Sequence, residues 1–503
     1  MSKSKTKRNK QKKAGQEQLK KQIARKQAKF RALAEAENIL NFGRKLTRRQ
    51  FDAYCYCREP LARFMADEVE WYSLFDNKLL ATVFRDTTDN DFGYIILGRD
   101  ARRLFRCIDL SHGTDFKKNL SEARRSLARK LKDEYVGNVQ PLYPQDDEKD
   151  AGFKLFKDVI PTEDQHPLYV MLKNEKRFEA ARNILSEIVN SFIDNDGHFE
   201  REFQSMNFQS KLWELYLHIY IHNAGFSVDN NHPAPDFEVN FFSKKVFIEA
   251  VTVNPSQNDN RPDLDAPETS EEIKHRNENF MPIKFGSSLF SKLSKKYWEK
   301  PHVKSKPLVI AVHDYHNNTS MTWSRTALSD YLYGVRASVD NEGLTLEKID
   351  THTWEGKEIS SGFFNQENSE NISAVLFSNQ ATIPKFNRMG KIAGLGCDDV
   401  HMIRQGLMYN PNPDALTPIP FSKDVDDPDY EESWADGLVM YHNPNAIHPV
   451  DPDIFHDISH ISYSDEKGFH GFHQPFDILD SITIVLTTAE KEEKEAENSE
   501  SFL

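Results

Sequence analysis

Three carboxylates lie at the joints of one stretch of the chain, residues 211–254. Glu214 lies in the run KLWELYLHIYIHNAG, Asp236 follows Pro235, and Glu249 is expected at the end of the second of two strands that follow. Asp236 and Glu249 are thirteen positions apart, a spacing that matches a strand, a tight turn and a return strand. Two carboxylates that converge at a strand end, with a third arriving from a helix, form a divalent-metal site.

The three acids differ in how strongly their surroundings indicate chemistry. Glu249 has apolar neighbours on both sides, and burying an unpaired carboxylate costs several kcal/mol, so it needs a metal, a lysine or an arginine as a partner. Asp236 also suits an ordinary turn after a proline. Glu214 shares a helix face with His218 and His222, which is equally the pattern of a solvated face.

The elements that must position these acids can be predicted from residue patterns. The stretch 211–254 predicts a helix that stops at a glycine, a turn around two prolines, and two strands rich in aromatic and β-branched residues. An amphipathic helix over 284–300 and continuous apolar strands over 307–315 and 371–379 follow. This order predicts an α/β fold in which helices flank a mixed sheet.

The motif around two of the acids resembles the PD-(D/E)xK nuclease superfamily. Pro235-Asp236 matches its first part, and Glu249-Ala250-Val251 matches its second part except for the last residue. Val251 stands where that superfamily carries a lysine. The resemblance covers about 130 of the 503 residues.

The resemblance implies a restriction-endonuclease-like fold and phosphodiester hydrolysis that depends on Mg²⁺, or on Mn²⁺ in its place. It implies that Asp236 and Glu249 hold the metal and that a helix glutamate, here Glu214, adds to the site. Because Mg²⁺ needs few protein ligands and keeps several waters, the backbone carbonyl of Ala250 would suffice as the third ligand.

The missing cation must come from another element if the site is catalytic. In the superfamily that this sequence resembles, the lysine can migrate to a neighbouring helix. Lys292 lies beside the apolar face of the helix predicted over 284–300 and is the first candidate, and Lys296 is the second.

These residues predict a metal-dependent nuclease that acts on DNA or RNA, with DNA favoured. The alternative is a catalytically inactive nuclease-like fold that serves as a nucleic-acid-binding or protein-binding module, which Val251 favours. A scaffold in which the acids are merely paired with Lys or Arg is a third interpretation.

Histidine clusters compete with the carboxylates as candidates for a metal site. His218 and His222 have the helical i, i+4 spacing of a zinc pair, but Ile219 stands where a metallohydrolase carries its glutamate. Further histidines follow predicted strands or lie in turns, and a structural role is the simpler interpretation for them: His313, His316, His442, His448, His470 and His473. The sequence holds no P-loop, no G-x-G-x-x-G and no G-x-S-x-G motif, which argues against nucleotide-driven and Ser-His-Asp chemistry.

Composition and charge suggest how the chain is divided. Residues 1–31 carry thirteen Lys or Arg and one Glu, a charge of +12. Because the whole chain has a net charge of −13, the remaining residues carry about −25. The predicted divisions are a basic arm that is partly disordered and then helical (1–43), a small α+β domain with a linker (44–160), a nuclease-like α/β core (161–380), a region that completes or covers the core (381–486) and an acidic tail (487–503).

Cysteine content and hydropathy suggest the compartment and the partners. Four cysteines in so long a chain fit a reducing cytoplasm, and Cys55 and Cys57 are too close for a C-x₂-C zinc pair, so both are predicted to be structural. No apolar run reaches the roughly 18 residues of a membrane span. We therefore expect a cytoplasmic protein whose partner is nucleic acid rather than a membrane, with a homo-oligomer left open.

Overall fold

A computed structural model describes residues 43–488 apart from residues 196, 256–264, 318, 341–342, 413–414 and 416, and it also describes residues 17, 20, 21, 40 and 490. Contacts divide the chain into two compact units, Met1–Cys55 with Leu61–Gly152 and Tyr56–Pro60 with Phe153–Leu503. We call them unit 1 and unit 2.

The described residues form eleven α-helices and twenty strands. The helices are α1 (Arg48–Asp52), α2 (Pro60–Met65), α3 (Leu120–Lys130), α4 (Pro167–Asn174), α5 (Glu179–Ile188), α6 (Phe199–Gln204), α7 (Phe208–Asn223), α8 (Ser270–His275), α9 (Met281–Leu293), α10 (Arg325–Tyr333) and α11 (Ile383–Ile392). The strands are β1 (Arg44–Leu46), β2 (Ala66–Leu74), β3 (Leu79–Asp86), β4 (Phe92–Arg99), β5 (Phe105–Leu110), β6 (Ser227–Asp229), β7 (Phe237–Phe241), β8 (Lys244–Val253), β9 (Leu308–Asp314), β10 (Val335–Asp340), β11 (Gly343–Lys348), β12 (Thr351–Trp354), β13 (Lys357–Ser360), β14 (Ala374–Ser378), β15 (Val400–Met408), β16 (Ile419–Asp424), β17 (Val439–His442), β18 (Ser459–Ser464), β19 (Gly468–Phe472) and β20 (Ile478–Thr487).

Unit 1 is an antiparallel sheet with one helix packed on it. Strands β1 to β5 lie in chain order in that sheet. Helix α3 is capped at its N-terminus by Asn119, whose side chain accepts a hydrogen bond from the backbone N–H of Glu122 at 3.0 Å. Its apolar face, with Leu127 and Ala128, packs into the same core as Leu79 and Val83 of β3.

Unit 2 is built on a mixed sheet of eight strands. Their order across the sheet is β19-β18-β17-β14-β9-β8-β7-β6. Strands β6, β7 and β8 form an antiparallel meander, whereas β8, β9 and β14 run parallel to one another. The parallel strands are continuous apolar runs, as expected for strands that are covered on both faces.

Helices α7 and α9 cover opposite faces of this sheet. Alternate side chains of β8 point to opposite faces, so Phe247 and Val253 pack with α9 in one apolar core, whereas the Thr252 hydroxyl meets Ser210 of α7 at 2.7 Å. Trp213 of α7 is fully buried and donates its indole N–H to the carbonyl of Ala311 on β9 at 3.0 Å. Both helices are therefore fixed to the strands that carry the predicted site.

A second sheet of unit 2 encloses a buried cluster of charges. Strand β15 lies between β16 and β20, and all pairings are antiparallel. Beside this sheet, Oε1 of Glu432 forms salt bridges with Lys385 at 2.8 Å, Arg388 at 2.7 Å and Arg404 at 3.1 Å. Although burial alone would raise it, the charges of these three cations hold the pKa of Glu432 well below its usual range.

The mixed α/β class is as predicted, but two local details differ from the sequence-based expectations. The helix expected over 284–300 ends at Leu293, and Lys296 beyond it adopts a left-handed conformation with φ of 50°. The strand that carries Glu249 continues to Val253, and a short additional strand, β6, precedes the predicted pair. Glu249 therefore lies within β8 rather than at its end.

The two charged termini lie mostly outside the described residues, so the predicted basic arm (1–43) and acidic tail (487–503) are left as predictions. Among the described helices, none is long and apolar enough to cross a membrane.

Candidate active site

The site is centred on β8, where neighbouring residues face different partners. Glu249 shares the α9 face of the sheet with Phe247 and Val251, as the alternation of a strand requires. The last pair between β7 and β8 joins Phe237 to Ile248, so β8 extends past the start of β7. Ala250 is the first residue beyond that pair on the β7 side, where Asp236 precedes the strand.

Asp236 is held at this point by the backbone of β8. The N–H of Ala250 donates to Oδ2 of Asp236 at 2.7 Å. Because the N–H and C=O of one strand residue face the same edge, the carbonyl of Ala250 also faces the side on which Asp236 lies. Asp236 is exposed to solvent at this edge of the sheet, although protein atoms crowd around its carboxyl group.

The electrostatic surroundings of Asp236 favour a bound cation. Loss of surrounding water and the negative charges of Glu249 and Glu214 raise the pKa of Asp236, and Lys292 and the Ala250 N–H only partly oppose this. Three carboxylates are therefore close enough to repel one another, which is the condition that a divalent ion relieves.

Glu249 is buried, with 3 % of its surface exposed, and its two oxygens have different surroundings. Oε1 accepts Lys292 Nζ at 2.5 Å and the hydroxyl of Tyr297 at 2.7 Å. Oε2 is buried and accepts no hydrogen bond from any residue that the structure describes. A buried carboxylate oxygen without a donor is costly in water-free surroundings, and a metal ion would satisfy it.

Of the two lysine candidates, the structure brings only Lys292 to the acids. Lys292 extends from the last turn of α9 to Glu249. Lys296 lies beyond the end of the helix, is half exposed and pairs with Glu299 at 3.7 Å. Because Val251 faces α9 as Glu249 does, the cation reaches the same face from the helix rather than from the strand.

Glu214 lies on α7 and contributes through its charge. Both of its oxygens lie within 3.1 Å of Lys211 Nζ, and Lys211 also contacts Glu202 at 3.0 Å. The Glu214 side chain is largely buried, and its charge acts on Asp236. Glu214 therefore joins the carboxylate group through its charge while its own oxygens are paired with Lys211.

The competing histidines have other surroundings. His313 and His316 are buried at the end of β9, where Asp314 contacts His316 Nδ1 at 2.8 Å. His442 meets His460 at 2.8 Å, and His473 meets Asp477 at 2.7 Å. The other members of the set, His448 and His470, are not part of any cluster of three or more metal-binding side chains among the described residues.

Tyr297 is the site residue that sequence reasoning missed. The helix predicted over 284–300 includes Tyr297 without any role in the site, whereas the residue follows the end of α9 and turns its hydroxyl to Glu249. Burial and the charge of Glu249 raise the pKa of Tyr297, so the hydroxyl stays protonated and donates. The apolar spacing carried no signal for this contact.

Comparisons with protein-family models, with curated proteins and with solved structures find no match to this chain.

Proposed function

We propose that the chain is a metal-dependent nuclease that hydrolyses phosphodiester bonds, with DNA favoured over RNA, and that unit 2 contains a restriction-endonuclease-like core. The observation that carries the proposal is the buried Oε2 of Glu249, which has no donor among the described residues and lies in a group of three acids. The mixed sheet with helices on both faces supports the proposed core.

The donor set fits a hard divalent cation. Asp236, Glu249 and the carbonyl of Ala250 offer oxygen ligands, which Mg²⁺ and Mn²⁺ prefer. When bound, such an ion would neutralise charge on the scissile phosphate and lower the pKa of an attacking water. The exposed side of Asp236 gives a substrate access to this edge of the sheet.

The chain's own residues then have separate tasks. Lys292 places an ammonium group beside Glu249, where it can stabilise negative charge that develops on a phosphate. Tyr297 holds Glu249 in one orientation through its hydroxyl. Glu214 adds negative charge near Asp236 and so strengthens cation binding.

The test is cleavage of double-stranded and single-stranded DNA and of RNA by the purified full chain, with Mg²⁺, with Mn²⁺ and with chelator. We expect cleavage that needs the metal and that Glu249→Gln reduces by about 100-fold or more. Glu299→Gln serves as the control because Glu299 is exposed beyond α9.

Metal-independent cleavage, or full activity of Glu249→Gln, would contradict the proposal. If no substrate is cut, binding of the same nucleic acids would point to the inactive binding module instead.

A further inference from the structure

A cysteine and two histidines of unit 2 lie together, and none of them is among the residues of the proposed carboxylate site. His218 and His222 lie one turn apart on α7, with ring centroids 4.6 Å apart. Cys57 lies in the segment Tyr56–Pro60, which belongs to the same unit. One ligand atom from each of the three side chains lies within 4.8 Å of the other two.

We propose that Cys57, His218 and His222 form a Zn²⁺-binding site that attaches the segment Tyr56–Pro60 to helix α7.

The segment is already held beside the helix by its aromatic residue. Tyr56 is buried and donates its hydroxyl to the carbonyl of Ile188, and the same oxygen lies 2.7 Å from Ser191 Oγ. The Tyr56 ring lies 6.3 Å from the rings of both His218 and His222. Cys57 is therefore brought to the histidines by packing, without help from an ion.

One of the histidines also has the outer contact that zinc ligands use. Nε2 of His218 lies 2.8 Å from Ser191 Oγ. If His218 bound a metal through Nδ1, its Nε2–H would donate to that hydroxyl and fix the orientation of the ring. The same serine contacts Tyr56, so the ligand segment and the histidine share one support.

The donor types select zinc over the hard cations. One sulfur and two imidazole nitrogens suit Zn²⁺, whereas Mg²⁺ and Mn²⁺ prefer oxygen ligands. Bonds of about 2.3 Å to sulfur and 2.0–2.1 Å to nitrogen place tetrahedral ligands roughly 3.3–3.6 Å apart. The three atoms would therefore close by no more than about 1.5 Å on binding, and water would fill the fourth position.

Cys57 and His222 are half-buried, so an ion can reach the site, whereas His218 is buried. Metal binding would then link two parts of the chain that are about 160 residues apart in sequence. Because an unfolded chain does not hold this arrangement, binding should add to the stability of the folded state.

The test measures metal content and cobalt spectra of the full chain, neither of which depends on nuclease activity. The chain is first stripped with chelator, then dialysed against excess Zn²⁺ and finally against buffer without metal or chelator. We expect one zinc ion per chain after these steps. With Co²⁺ in its place, we expect the near-ultraviolet absorption of a thiolate-to-cobalt bond. Cys57→Ser should remove that absorption, and His222→Gln should weaken zinc binding by at least about 100-fold, more than the roughly 10-fold expected for Ser191→Ala.

Matched controls separate this site from other thiols, other histidines and the carboxylates. Cys397→Ser and His448→Gln change half-buried residues elsewhere and should leave the zinc content and the cobalt spectrum unchanged. Asp236→Asn should also leave both unchanged, even though it is expected to abolish the response to Mg²⁺.

The proposal is overturned if the wild-type chain binds no zinc and shows no thiolate-to-cobalt absorption. It is equally overturned if Cys57→Ser, with wild-type circular dichroism, keeps both. If Cys57→Ser fails to fold, His222→Gln takes its place, and unchanged zinc affinity in that variant would overturn the proposal as well.

Discussion

Lys292 on helix α9 donates its ammonium group to Glu249 on strand β8 over 2.5 Å, and it is the closest cation among the described contacts of that buried carboxylate. The pair joins two elements that are 43 residues apart in the chain. The strand carries Val251 where a lysine would be expected, and Lys292 of the helix supplies the cation to one oxygen of Glu249 instead.

Replacing Lys292 should impair both stability and cleavage. In Lys292→Met, Tyr297 is the one donor that Glu249 keeps among the described residues, so we expect the free energy of unfolding to fall by about 1–3 kcal/mol at neutral pH. If the proposed function holds, cleavage should fall by about 100-fold or more because the ammonium group is lost next to the proposed metal ligands. Urea unfolding and a cleavage assay measure the two effects.

Lys295→Met is the control for Lys292→Met, since Lys295 is exposed just beyond the same helix. The double variant Lys292→Met/Glu249→Gln should lose less free energy of unfolding than the sum of the losses of the two single variants. Strict additivity would show that the pair contributes nothing to stability.

Mg²⁺ should stabilise the protein more as the pH rises. Without metal, the pKa of Asp236 is higher in the folded protein than in the unfolded chain, where it is about 4. This group therefore destabilises the folded state increasingly as the pH rises from the unfolded pKa to the folded pKa. Mg²⁺ needs the ionised carboxylate, so its binding must displace the proton at lower pH. We expect the melting temperature to rise by about 1–3 °C with millimolar Mg²⁺ at pH 8 and by less at pH 6.

Asp236→Asn should remove both the Mg²⁺ response and its pH dependence in the same thermal-shift series. An equal rise in melting temperature in this variant would place the Mg²⁺ site elsewhere.

Trp213 should contribute strongly to the stability of unit 2. Trp213→Phe removes the hydrogen bond to Ala311 and leaves a void in a fully buried place, so we expect a loss of about 1–3 kcal/mol. Trp354→Phe, on the partly exposed hairpin strand β12, should cost less than about 1 kcal/mol. Denaturant titration followed by circular dichroism compares the two variants, and equal losses would contradict the assignment.

The buried charge cluster should make the protein sensitive to acid. The folded pKa of Glu432 lies below the unfolded value of about 4.3, so its stabilisation is fully present above that value and is lost as the pH falls toward the folded pKa. At pH 7, Glu432→Gln should destabilise the protein by about 3–5 kcal/mol because three buried cations lose their shared partner.

The exposed neighbour variant Glu431→Gln is the control, with an expected change within about 0.5 kcal/mol. Thermal unfolding from pH 3 to pH 7 measures both variants. A loss for Glu432→Gln no larger than that of its neighbour would exclude a stabilising role for the cluster.

The sequence was informative wherever the site depends on local spacing. The strand–turn–strand pattern predicted that Asp236 and Glu249 would meet, and the structure links Asp236 to Ala250 through one hydrogen bond. The apolar face of the predicted helix placed Lys292 toward the sheet, and its ammonium group lies against Glu249. Both inferences needed only the periods of a strand and a helix.

The sequence could not show contacts that depend on where an element ends or on distant segments. No glycine or proline lies between Leu293 and Tyr297, so nothing in the pattern showed that the helix stops before Lys296. Cys57 approaches His218 only through tertiary packing of a segment from far earlier in the chain. Short β6 has only three residues, too few for a reliable alternation pattern.

The division of the site between helix α9 and strand β8 has a consequence for how activity responds to mild denaturation. An active site whose acids and cation came from one hairpin could survive loosening of the surrounding structure. Here the ammonium group is correctly placed only while α9 rests on the sheet. Cleavage should therefore disappear at denaturant concentrations that leave the far-ultraviolet circular dichroism intact, which would make catalysis a sensitive reporter of helix docking.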